Sequence, residues 1–150
     1  MDLGIAGKWA LVGGASKGLG FGCAQALEQE GVNVVMVSRR EDVLRESAEA
    51  LAKQVKSQVL WVAADITTQA GQDAAFAKHG QFDILVNNAG GPPPGNFRDW
   101  DREDWIKALD ANMLSPIALI KRVVDGMAER GFGRVVNITS SSVKAPVEVL

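Results

Sequence analysis

Tyrosine is absent from these 150 residues, so no phenolic hydroxyl within them can donate a proton or a hydrogen bond. Cysteine occurs once, at Cys23, which excludes an internal disulfide and a cysteine-based zinc site and points to a reducing compartment. No metal-ligand set is expected. Positive charge is not in excess: 16 Lys and Arg against 18 Asp and Glu leave a formal net charge of −2. That field is too weak to hold a nucleic-acid backbone. No apolar run approaches membrane-spanning length, and Met1 to Ile5 lacks the charged-then-apolar plan of a signal peptide. Neither a nucleic-acid nor a membrane partner is expected, and the simplest location is the cytoplasm. Repeats, linkers and low-complexity blocks are missing too.

What is present is an ordinary globular composition, 47% hydrophobic and 23% charged, long enough for one domain with a real core. Its organising stretch runs from Trp9 to Gly20, where a short apolar run stops at Gly13-Gly14 and a loop spaced by Gly14, Gly18 and Gly20 opens an amphipathic helix. Strand, tight turn and helix N-terminus in that order make a phosphate site, because the helix start offers unpaired N–H groups and the positive end of its dipole. The G-x-x-x-G-x-G spacing differs from the G-x-G-x-x-G of many dehydrogenases.

Read in order, residues 8–13 predict a buried strand and Gly18 to about Glu30 a helix, with Leu19, Cys23, Ala26 and Leu27 on one face. Residues 32–37 form a second strand, Ser38-Arg39-Arg40 a polar turn, and Val43–Val55 a second helix led in by Glu41 and Asp42. A third strand spans 59–63, and Thr67 or Thr68 caps a weaker helix to about His79. A fourth strand, 82–86, leads to Asn87-Asn88-Ala89-Gly90-Gly91, and Pro92-Pro93-Pro94-Gly95 must be loop. Asp101 caps a long helix from about Arg102 to Arg130, interrupted near Pro116, and residues 134–139 are a fifth strand. Five strands alternating with helices imply an α/β, doubly wound parallel sheet of the Rossmann type. The unusual residues all fall at the carboxyl ends of its strands, where such sheets bind ligands.

Taken together, Gly13-Gly14-Ala15-Ser16-Lys17-Gly18-Leu19-Gly20, Ala64-Asp65, Asn87-Asn88-Ala89-Gly90, Asn112 and Val136-Asn137-Ile138-Thr139-Ser140 resemble the short-chain dehydrogenase/reductase family, in its order and near its spacing. The nearest likeness is to the 3-oxoacyl-carrier-protein reductase type. Gly13 departs from the family's usual threonine. The resemblance implies that the backbone from Ser16 to Leu19 faces a cofactor pyrophosphate, with Leu19 near the nicotinamide. It further implies Asp65 beside the adenine with Ile66 packed nearby, and Ala89-Gly90, next to Asn88, passing the cofactor. Asn87 is expected to be structural.

Cofactor choice follows from charge. An NAD site wants an acid after the second strand; here Ser38, Arg39 and Arg40 stand there, and Lys17 lies in the glycine loop. A guanidinium fork matches a 2′-phosphate, so NADP(H) is expected over NAD(H). The alternative is that these are solvated surface charges, Arg40 above all.

Pro116 lacks the N–H that would reach the carbonyl of Asn112 four residues back, so that carbonyl is freed and a kink is expected. In the family the matching carbonyl holds a water of a proton relay. Ser140 matches the catalytic serine that polarises a carbonyl oxygen, although a serine cluster after a strand is also ordinary turn chemistry. The family's Tyr-x-x-x-Lys would come about a dozen residues beyond Ser140, and the sequence stops at Leu150 first. The expectation is therefore a truncated chain without the family's last strands, inactive alone, from an NADP(H)-dependent oxidoreductase of carbonyl or alcohol substrates. Its parent would be a dimer or tetramer through the long helix. The Gly90–Gly95 and Ser142–Pro146 segments suggest an atypical branch. A catalytically silent nucleotide-binding protein on the same fold is the alternative.

Overall fold

The structure, a computed structural model, describes residues 2–53, 56–91 and 93–145. Five parallel strands, β1 (Trp9–Gly13), β2 (Asn33–Ser38), β3 (Val59–Ala63), β4 (Ile84–Asn87) and β5 (Arg134–Asn137), form one sheet in the order β3-β2-β1-β4-β5. Helices α1 (Gly18–Gln29), α2 (Glu41–Ala52), α3 (Gln69–Lys78), α4 (Arg102–Leu109) and α5 (Ser115–Glu129) connect them. This is the doubly wound sheet that the alternation implies. Successive side chains of a strand point to opposite faces. Ala10, Val12, Val34 and Met36 therefore meet Ala24 of α1 and Leu44 of α2, while Leu11, Val35 and Leu85 meet Ala75 of α3 and Leu119 and Val123 of α5. Both faces are covered, which is why the central strands read as unbroken apolar runs. β5 is an edge strand, with Val135 and Val136 exposed.

Several boundaries move. Ser38 closes β2 instead of opening the turn, β4 starts at Ile84, and β5 ends at Asn137, although the Ile138 amide still donates to the Asn87 carbonyl at 2.9 Å. Val55, the expected end of the second helix, lies outside the described residues, as do Pro92 of the proline loop and Pro146. Thr68, not Thr67, caps α3 by accepting from the Gly71 amide at 3.0 Å. Because α3 has little amphipathic support, Thr68→Ala is expected to lower unfolding free energy by about 1 kcal/mol, measured by urea denaturation, with Thr68→Ser close to the parent.

One expected face is wrong. In α1 the buried residues are Gly20, Ala24 and Glu28, whereas Leu19 and Ala26 are exposed and Cys23 and Leu27 only half-buried. The cause is Gly20, which lies so close to the carbonyls of Gly13 and Gly14 that an added Cβ would collide with both. That approach fixes the roll of the helix and turns the 20-24-28 stripe inward. The expected break in the long helix is there: a π turn, Asp110–Leu114, precedes Pro116, and in it the Ser115 amide reaches five residues back to Asp110. The extra residue in that turn places Pro116 in the first turn of α5, where a missing N–H does least harm.

Candidate functional site at the strand ends

The order β3-β2-β1-β4-β5 reverses direction between β1 and β4, so a crevice opens there at the carboxyl ends of the strands. The glycine loop lies at its mouth, and its glycines do two different jobs. Gly14 and Gly20 are packed against Asn88: a Cβ at either would come within 2.6 or 2.8 Å of its Nδ2, and one at Gly13 within 2.6 Å of its carbonyl. The Asn88 amide group donates to the Gly13 carbonyl at 3.2 Å, tying the start of the loop to the end of β4. Gly18 is different. Its φ is +60°, and nothing lies within 4 Å of where its Cβ would be, so this glycine leaves backbone open to a ligand.

Among the described helices the N-terminus of α1 is open to a ligand, whereas α2 opens on Glu41 and Asp42 and α5 continues directly from the π turn. Thr68 caps α3 and Asp101 caps α4, but α1 has neither a side-chain cap nor an acid in its first turn. Its first amides and the positive dipole end are therefore left without a side-chain partner. Lys17 and Arg39 are exposed beside it and make no salt bridge among the described residues. Arg40 instead pairs with Asp42 at 3.6 Å, the surface role allowed for it above. The serines of the loop and of β2 meet, with the Ser38 hydroxyl 2.9 Å from that of Ser16.

Asp65, just past β3, uses one carboxylate oxygen to accept from the Thr67 amide at 3.0 Å and the Thr67 hydroxyl at 2.7 Å. Burial pushes its carboxyl up, but those two hydrogen bonds and the nearby Arg39 charge outweigh burial and hold it below the ordinary carboxylate range. It is an anion that shapes its own turn. Ile66 is buried immediately behind it.

A cleft of about 280 Å³ continues from the crevice between β4, β5 and α5. Ile66, Asn88, Ala89, Asn112, Pro116 and Thr139 are among its walls. Asn87 ties β4 to β5 by donating to the side-chain oxygen of Asn137 at 2.8 Å, the structural part expected of it. Asn112 sits in the π turn and donates from its side chain to the Ala108 carbonyl at 3.0 Å. Ser140 follows Thr139 at the rim, where its oxygen accepts from the Ser142 amide at 3.2 Å and lies 2.7 Å from the Ser142 hydroxyl. Its hydroxyl at present organises the short turn 141–143. Gly90 is exposed with open space around it.

The structure thus brings Gly14, Gly20 and Asn88 into contact and Ser16 beside Ser38, with Lys17 and Arg39 as their chain neighbours, while Asn88, Ala89 and Asn112 line the adjoining cleft and Ser140 follows its wall residue Thr139. Sequence reasoning missed the packing of Asn88 on the loop glycines and the attachment of α5, whose Ser115 hydroxyl donates to the Thr67 carbonyl at 3.0 Å. The second asparagine of an Asn-Asn pair after an apolar strand, opposite a glycine pair, was the available signal for the first. The second had none. Among the described residues no group of three or more His, Cys, Asp or Glu side chains could hold a metal ion, and no helix is long and apolar enough to cross a membrane.

Comparison with known proteins gives a consistent picture. Residues 8–150 match the family model described as short chain dehydrogenase. A Bacillus subtilis protein named as the uncharacterized oxidoreductase YvaG is 34% identical over 147 residues, covering 97% of this chain and 56% of that protein. Acetoacetyl-CoA reductase of Cupriavidus necator is 36% identical over 135 residues, covering 87% and 55%. Among solved structures, L-sorbose reductase of Gluconobacter frateurii, complexed with NADPH and L-sorbose, superposes with a TM-score of 0.92 at 33% identity, covering 99% of this chain and 58% of that one. The chain spans a little over half the length of these relatives.

Proposed function

The chain belongs to the short chain dehydrogenase family of oxidoreductases, and from that premise we propose that it is the NADP(H)-holding part of a carbonyl or alcohol oxidoreductase, of the 3-oxoacyl type in the most generic form. The observation that carries the reading is the α1 N-terminus, uncapped and free of acid, with Gly18 open at positive φ and Lys17 and Arg39 beside it. The donor set fits a dinucleotide with a 2′-phosphate: amides of Ser16 to Leu19 for the pyrophosphate, and Lys17, Ser38 and Arg39 for the extra phosphate. Asp65 and Ile66 would border the adenine, and the backbone of Ala89-Gly90 would flank the cofactor. The relative solved with NADPH is in keeping with this.

When bound, the cofactor supplies a hydride at its nicotinamide. The chain supplies position and polarity. Ser140 would turn its hydroxyl from the 141–143 turn toward a substrate oxygen. The Asn112 carbonyl, to which Pro116 can offer no N–H, would hold a water that relays protons. The whole protein would act on a small carbonyl or alcohol in a reducing cytoplasm, and would assemble with its own copies through the exposed apolar side chains of α4 and its continuation, Trp105, Ile106, Leu109 and Ile117.

Thermal unfolding tests the cofactor reading. NADPH is expected to raise Tm more than NADH at matched concentration, since stabilisation follows ligand concentration over Kd. Equal shifts would overturn the NADP(H) preference, and no shift with either would overturn the dinucleotide site.

A further inference from the structure

A serine outside every strand-end segment is tied to the glycine loop. Ser47, half-buried in the second turn of α2, donates from its hydroxyl to the Ser16 main-chain carbonyl at 2.8 Å, across 31 residues of sequence. Ser16 is held at two further points: its side-chain oxygen lies 2.9 Å from that of Ser38, and the preceding amide, of Ala15, donates to the Val37 carbonyl at 3.1 Å. Because a trans peptide is planar, fixing the Ser16 carbonyl toward α2 fixes the Lys17 amide on the opposite edge, pointing away from α2. Lys17 itself is extended, with φ −165° and ψ 174°, so its direction follows from that plane. Lys17 and Arg39 are the immediate chain neighbours of the two serines in contact, Ser16 and Ser38.

We infer that Ser47 is a positioning residue for the adenosine 2′-phosphate, holding the Ser16–Lys17 peptide so that Lys17 and Arg39 flank one anion. This rests on the NADP(H) reading above. Ser47 touches no part of the cofactor in this scheme; it acts through the peptide it holds. α2 thereby has a second use. It covers the sheet through Leu44, Ala48 and Leu51, and on its loop-facing side it sets the spacing between two cations from different loops. A neutral hydroxyl-to-carbonyl bond of this kind is worth roughly a factor of ten in an equilibrium constant.

Direct titration of NADPH and NADH into the parent chain, Ser47→Ala and Ser47→Thr tests it. Ser47→Ala is expected to raise the NADPH Kd about tenfold and the NADH Kd by clearly less, about two- to threefold, since both nucleotides use the Lys17 amide but only the phosphorylated ribose also needs both cations in register. Ser47→Thr keeps the hydroxyl and should restore most of the NADPH affinity. Equal weakening of both nucleotides would make Ser47 a plain loop support and overturn the inference. Unchanged affinities in Ser47→Ala would overturn it as well, while leaving the NADP(H) reading intact if the parent still prefers NADPH. A parent chain that binds the two nucleotides equally would overturn the NADP(H) reading, and the inference with it.

Discussion

Raising the pH from 6.5 to 8 is expected to destabilise this chain, and Glu28→Met is expected to remove that loss. Glu28 lies on the inward stripe of α1, 2% exposed, and neither carboxylate oxygen has a hydrogen-bond partner among the described residues. Burial raises its carboxyl from 4.5 to about 7, because a lone charge in apolar surroundings loses its hydration. Between those two values the unfolded chain is ionised while the folded one keeps its proton. The folded state therefore binds more protons, and stability falls as pH rises through this window. Below 4.5 both states are protonated and above about 7 both are ionised, so the loss is complete by about pH 8. Over the whole window its size is on the order of 3 kcal/mol, of which roughly 1 kcal/mol is lost between pH 6.5 and 8; even that part is appreciable against the 5–15 kcal/mol typical of a domain. His79 titrates with the opposite sign. Its imidazole is lowered, first by burial, against a hydrogen bond to the Gln81 backbone and the Asp83 charge. Its contribution is fully present only well above 6.5 and is lost as pH falls, so it opposes the Glu28 slope near pH 6.5; because Glu28→Met keeps His79, the difference between the two profiles isolates Glu28. Urea unfolding of both proteins at pH 6.5, 7.25 and 8 would show it. A flat parent profile, or one that Glu28→Met leaves unchanged, would contradict the assignment.

Glu28 also shows where the sequence stopped being legible. Helix periodicity alone put Leu19, Cys23, Ala26 and Leu27 inward, since apolar residues at helical spacing are the usual core signal. The roll of α1 was instead decided by a close backbone approach at Gly20, which carries no hydropathy and so leaves no trace in a periodicity. By contrast the sheet was legible almost throughout. Strands buried on both faces must be apolar at every position, and the Gly, Asp and Asn residues that end them mark their carboxyl edge without any knowledge of contacts. The glycine loop was legible as a loop, but not the division within it. Gly14 and Gly20 look no different from Gly18 in sequence; only Asn88, 68 residues beyond Gly20, separates packing glycines from the open one. Pro116 announced a break in the long helix. That the break is a π turn could not be read from it, because a proline marks where a helical N–H is missing and not how the preceding turn is wound.

Ser38→Asp is expected to reverse the nucleotide preference. Position 38 closes β2 at the rim of the crevice, half-buried, with its side-chain oxygen beside Ser16 and its chain neighbour Arg39 free of ion pairs among the described residues. A carboxylate there would accept from the Ser16 hydroxyl, and in an NADH complex from a ribose 2′-hydroxyl. Toward a 2′-phosphate it would be a like charge at close range, and it would draw Arg39 to itself. Two losses then combine: a charge-assisted hydrogen bond worth roughly 1.5–3 kcal/mol, and repulsion of about 1–4 kcal/mol at contact near a surface. Together these come to about 2.5–7 kcal/mol, so NADPH affinity should fall by about 100-fold at least and by up to roughly 10⁵-fold, while NADH gains a few-fold. Arg39→Ala separates the terms. It removes the fork without adding repulsion, so NADPH should weaken by only about 10- to 100-fold with NADH unchanged. It also takes away the charge that helps hold Asp65 low, so the Asp65 carboxyl should move toward the ordinary range. Since Arg39 is exposed, its contribution should shrink with added salt, whereas the effect of Ser38→Asp, set partly below the surface, should persist. If Ser38→Asp weakened NADH as much as NADPH, the end of β2 would be a structural corner rather than the place where the two cofactors are told apart.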